Sequence, residues 1–80
     1  MMLMEKSITN IKVGQKVMIV KLIGGHGFQR RLRTMGIREG KVVEIITRHP
    51  FGGPLVIKVN GRDTTIGRGM AGRIIVEDKI

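Results

Sequence analysis

Two histidines, one serine and a pair of acids near the C-terminus are the side chains best suited to proton transfer or nucleophilic attack: His26, His49, Ser7, Glu77 and Asp78. Nucleophilic catalysis needs a nucleophile, a base and a group that orients the base. No spacing links Ser7 to either histidine, and no two carboxylates pair in an apolar setting, so no catalytic residue is expected and the chain does not read as an enzyme. Metal binding is equally thin. Neither His26 nor His49 has a second histidine or a carboxylate at i+3 or i+4, and the chain has no cysteine. No metal site and no cofactor are expected. His26 reads as an exposed loop histidine, and His49, before Pro50, as the extended end of a strand. Of six methionines, three fall in the N-terminal stretch, while Met18, Met35 and Met70 suit a core.

Recognition chemistry has more to work with. Fifteen Lys and Arg against six Asp and Glu give a net charge of +9, spread along the chain rather than gathered in a tail. The local exception is Arg30, Arg31, Arg33 and Arg38, with no acid among them before Glu39. This cluster reads as a solvated helix face, as a protein-docking face or, through phosphate contacts, as a nucleic-acid surface. Two Phe and no Tyr or Trp leave no aromatic platform for stacking bases. The run Gly24 to Gly27 lacks the Gly-Lys-Ser/Thr ending of a phosphate loop, although it precedes a helix start where a weak anion site is physically allowed. His49-Pro50-Phe51-Gly52-Gly53-Pro54 holds both prolines around one of the two aromatics. Phe51 either folds back to plug one end of the domain or stands out as an apolar anchor.

The elements that must position these groups are short. Alternating and β-branched runs predict strands over Lys16–Ile23, Lys41–Arg48, Leu55–Val59, Arg62–Ile66 and Arg73–Glu77. Asn60-Gly61 predicts a two-residue hairpin turn, because a type I′ turn needs positive φ at both positions. Phe28, Leu32 and Met35 at i, i+4 and i+7 predict one short helix, ended by Gly36, with Ile37 folding back on Leu32 and the arginines outward. A helical turn at Thr9–Ile11 would take Thr9 as its cap. About five strands and one helix in 80 residues predict a mostly β chain, a small SH3-like antiparallel barrel. Residues 1–7 are expected to be a loose N-terminus and 8–80 a single domain. No uncharged apolar run is longer than that from Val17 to Val20, far too short to cross a bilayer, and the start does not match a signal peptide. A cytoplasmic protein without membrane insertion is expected.

Three segments carry a family resemblance: residues 8–14 (ITNIKVG), residues 32–40 (LRTMGIREG) and residues 50–55 (PFGGPL), with residues 71–76 (AGRIIV) at the close. In this order and spacing they resemble the ferrous iron transport protein A (FeoA) family over about residues 8 to 77. Gly14, Leu32, Gly36, Gly40, Pro50, Gly52, Gly53 and Pro54 carry the pattern as fold-defining positions. The resemblance implies an SH3-like barrel and a small accessory protein of ferrous iron uptake. Its implied partner is the membrane transporter, ferrous iron transport protein B, met at its cytosolic GTP-binding part. On that reading Arg30, Arg31, Arg33, Arg38 and Phe51 are the candidate partner-binding residues, and nucleic acid is not the expected partner. An unpaired barrel edge would allow weak self-association. The run from Gly14 to Gly24 loosely resembles the KOW motif of ribosome-associated barrels, which sets an RNA-binding module as the alternative. A similar domain closes iron-dependent repressors of the diphtheria-toxin-repressor type. No helix-turn-helix precedes it in this sequence, so a stand-alone repressor is not expected.

Overall fold

The structure is a computed structural model that describes residues 5–78. Its strands are β1 (Lys6–Ser7), β2 (Lys16–Leu22), β3 (Val42–Arg48), β4 (Leu55–Val59), β5 (Arg62–Ile66) and β6 (Ile74–Asp78). Helix α1 (His26–Thr34) follows β2, a short α2 (Arg68–Ala71) precedes β6, and a 3₁₀ turn (Ile8–Asn10) follows β1. All pairings are antiparallel, in the order β1-β6-β2-β3-β4-β5. The five expected strands are present within a residue or two, and β1 is the sixth. The loose stretch expected over residues 1–7 is thereby shortened: Lys6 and Ser7 pair with Val76 and Ile75. The part expected at 1–4 lies outside the described residues. A backbone ring does not close, since among the described residues β5 pairs only with β4 and β1 only with β6.

One sheet wraps one core because two bulges bend it. In β2 the register against β6 slips at Val20, and in β3 the register against β4 slips at Ile46. Each slip reverses the alternation of faces. Val17 and Ile19 point inward before the first bulge, but Leu22 does so after it, which turns Lys21 out to solvent. The core is aliphatic: Ile8, Ile19, Leu32, Ile37, Ile45, Leu55, Ile57, Ile66 and Ile74 are among its fully buried side chains, and no polar side chain of the described residues is buried with them.

Helix α1 caps one side of this core with the predicted stripe. Leu32 is buried, and Phe28 and Met35 pack half-buried against the core, as does Met70. Met18 is half-buried on β2 and is not part of that packing. The helix ends in the predicted Schellman arrangement: the Ile37 amide donates to the Leu32 carbonyl and the Gly36 amide to Arg33, both at 3.0 Å. Gly36 has φ +84°, and a Cβ there would come within 2.9 Å of the Asn60 side chain. The residue type thus answers both a left-handed backbone and a close approach. The first helical turn is capped differently from expectation. Ser7, not Thr9, is its N-cap, accepting from the Thr9 amide at 3.2 Å. The two-residue β1, too short to leave an alternating pattern in the sequence, brings Ser7 to that place by pairing with β6.

Candidate docking surface

Arg30, Arg31, Arg33 and Arg38 are all exposed, as expected of a face turned from the stripe. They do not form one patch. At about 100° per residue, Arg30 and Arg33 are neighbours on one flank of α1, while Arg31 lies roughly 160° round from Arg33. Arg33 reaches Glu39 through a single Nη2–Oε1 contact of 3.5 Å, with both side chains about half exposed. Such a pair is worth little in water, so it does not commit Arg33.

Phe51 is the most exposed apolar residue described, at 104% of its reference area. The plug reading is therefore overturned: the ring touches no core, because the backbone beneath it points it away. The Gly53 amide donates to the Pro50 carbonyl at 3.4 Å, with φ +61° at Phe51 and +78° at Gly52, the signs of a type I′ turn. The base of the loop is held twice. The His49 amide donates to the Pro54 carbonyl at 3.1 Å, and Arg68 of α2 donates through Nε to the Gly53 carbonyl at 3.3 Å. A Cβ at Gly53 would strike the His49 side chain at 2.7 Å.

The arginine flank and the loop lie at opposite ends of β4. Leu55 adjoins the loop, and Val59 adjoins the Asn60 turn that faces Arg33 and Met35 across a hollow. Four strand steps of about 3.4 Å separate those ends by about 14 Å. The exposed arginine flank and the exposed Phe51 loop are thus two separate surface features.

The remaining candidates have structural surroundings. The Ser7 hydroxyl lies 2.8 Å from Thr9 Oγ1 and near the Ala71 carbonyl, with no histidine beside it. Asp78 accepts from Gln15 Nε2 at 2.7 Å. His26 is exposed as expected but is the first residue of α1, not a loop residue, because the helix starts two residues before Phe28. Gly24 serves packing, since a Cβ there would meet the Phe28 ring at 2.6 Å, and its carbonyl accepts from Gln29 at 2.9 Å. Gly14 and Gly40 sit in turns, their amides donating to Ile45 and Ile19 across the sheet at 2.7 Å. Among the described residues no three of His, Cys, Asp and Glu cluster as metal ligands would.

Residue-by-residue reading missed three arginines. Arg48 donates to the Thr9 carbonyl at 2.6 Å and to Ile11 at 3.0 Å, Arg68 holds the Phe51 loop, and Arg73 stacks its guanidinium 5.3 Å from the centre of the Phe28 ring. All three act on partners distant in the chain, and no local spacing signals that.

A bent six-stranded antiparallel sheet and one helix across its core, with exposed arginines on its surface, define a small SH3-like domain with a basic surface. A model of the FeoA domain matches residues 6–78. The chain belongs to the FeoA domain family, whose members are accessory proteins of ferrous iron transport. It is 39% identical over 67 residues to Fe(2+) transport protein A of Methanocaldococcus jannaschii, covering 84% of this chain and 79% of that one. A crystal structure of an iron uptake regulatory protein (FeoA) superposes with TM-score 0.88 at 33% identity, over 95% of this chain and 100% of that one. A manganese-dependent transcriptional repressor superposes with TM-score 0.87 at 14% identity, over 99% of this chain and 44% of that one, a likeness of fold alone. The described residues contain no helix long and apolar enough to cross a membrane.

Proposed function

We propose that this protein docks, in the cytoplasm, on the cytosolic GTP-binding part of ferrous iron transport protein B, as a non-enzymatic accessory of uptake. The observation that carries the reading is the flank of α1, where Arg30 and Arg33 stand exposed with Arg38 close beyond the helix end. Opposite charge on a partner would speed encounter and fix orientation. The Phe51 loop supports a second contact, since a rigidly held exposed aromatic is what apolar anchors are made of. The test is capture of partners by the tagged protein from detergent-solubilised cells, near physiological salt. Recovery of the transporter, lost in the Arg30→Glu/Arg33→Glu double variant, is the expected result. Recovery of ribosomal protein and RNA, falling steeply with salt, would make the RNA-binding alternative the better account.

A further inference from the structure

The free edge of β5 borders a basic hollow, and the two face the same incoming ligand. Val59 and Arg62 face each other across the two-residue turn, so in antiparallel order Arg62, Thr64 and Ile66 bond to β4. The amides and carbonyls of Asp63 and Thr65 then point outward in the plane of the sheet. Among the described residues no hydrogen bond reaches them from outside the hairpin. Both residues are exposed. Beside this edge, between the end of α1 and the inner face of the hairpin, lies an open hollow of about 490 Å³. Arg33, Met35, Gly36, Asn60, Arg62 and Thr64 line it.

The side chains at 62, 64 and 66 share one face, with Ile66 buried at its inner end. A strand added beside β5 would therefore place every second side chain over the hollow. Arg62 has no acidic partner among the described residues, and the Arg33 contact to Glu39 is exposed and exchangeable. Two guanidiniums lining one hollow are the groups with which a carboxylate would pair.

We propose that the β5 edge takes an extended acidic segment of a partner protein as a seventh strand, with its inward carboxylate between Arg33 and Arg62. Backbone bonds at Asp63 and Thr65 would supply affinity, and the hollow would select charge. The proposal names a surface for the docking reading above and rests on it.

The experiment is an amide NMR titration of the full chain with the capped hexapeptide Val-Glu-Val-Glu-Val-Glu. Expected are shifts centred on Asp63 and Thr65 and on the Arg33 and Arg62 side-chain signals. Arg62→Glu should weaken binding about tenfold. Thr65→Pro, which removes an outward N–H and no ladder bond, should do the same while the fold persists. Lys12→Glu, an equal change of charge elsewhere, should leave binding unchanged. No binding at millimolar peptide, shifts centred on the Phe51 loop, or binding by Arg62→Glu and Thr65→Pro equal to that of the unaltered protein would overturn the proposal. So would full capture of the transporter by Arg62→Glu and Thr65→Pro, which would leave the docking reading standing. Peptide uptake as described, with no transporter captured by the unaltered protein, would uphold the surface and remove the docking reading.

Discussion

Phe51 and Asn60 stand at the two ends of β4 and are the two non-glycine residues with positive φ among those described, +61° and +53°. Each is followed by a glycine of φ +78°. Asn tolerates this backbone, and Asn-Gly is the preferred pair of the turn, whereas a bulky aromatic there is an outlier costing about 1–3 kcal/mol.

Replacing Phe51→Asn should therefore stabilise the isolated protein. A gain of about 1 kcal/mol would raise Tm by about 4–8 °C in a domain this size, read by calorimetry. The same variant should capture less transporter. A lowered Tm would mean that the exposed ring stabilises the loop in a way its geometry does not reveal.

Gly36→Ala meets both a left-handed backbone and the Asn60 side chain 2.9 Å away. The expected loss is about 1–2 kcal/mol, measured as a lower urea midpoint with an unchanged slope. Because the strain is local, the second change Asn60→Gly, which keeps the turn and clears the contact, should recover part of it.

Arg48→Met should free the segment after β1. It removes two charge-assisted bonds to the Thr9 and Ile11 carbonyls, worth about 1–3 kcal/mol at a partly exposed site. Hydrogen exchange should quicken at Ile8 and Ile11 while the β3–β4 amides keep their protection.

The Arg30→Glu/Arg33→Glu double variant should fold like the parent, within about 0.5 kcal/mol, because both side chains are exposed and no buried partner is lost. Its capture of the transporter should fall, and the deficit should grow as salt is lowered. Undiminished capture would remove the α1 flank from the docking surface.

Purified protein should show no nucleic-acid absorbance. With no Trp or Tyr, its own absorption at 280 nm is slight, so bound RNA would dominate the spectrum. A spectrum peaking near 260 nm after washing at physiological salt would favour the RNA-binding alternative.

Local rules carried the turns, the helix and the family pattern. The Asn60-Gly61 turn, the Schellman end at Gly36 and the stripe Phe28, Leu32, Met35 each depend on residues within a few positions, so their types were enough to read them. The candidate site was legible as far as exposure of the α1 arginines. Its geometry was not, because the spacing of Arg30, Arg31 and Arg33 along the chain does not say which end of β4 the helix faces, and so how far it lies from Phe51.

Arg48 shows what only the tertiary structure decided. Strict alternation from Val43 and Ile45 would turn Arg48 outward. The bulge at Ile46 reverses that, pairing Arg48 with buried Leu55 on the core face at the rim, within reach of the Thr9 and Ile11 carbonyls. The β1–β6 pairing and the Arg68 hold on Gly53 are of the same kind. A bulge or a long-range bond exists only when two distant segments meet, and its energy appears in no short window of sequence. The amino-acid order by itself determined the turn chemistry, the helix with its stop and the FeoA pattern. The face each late strand residue presents, and the free edge of β5 beside two arginines, were settled by packing.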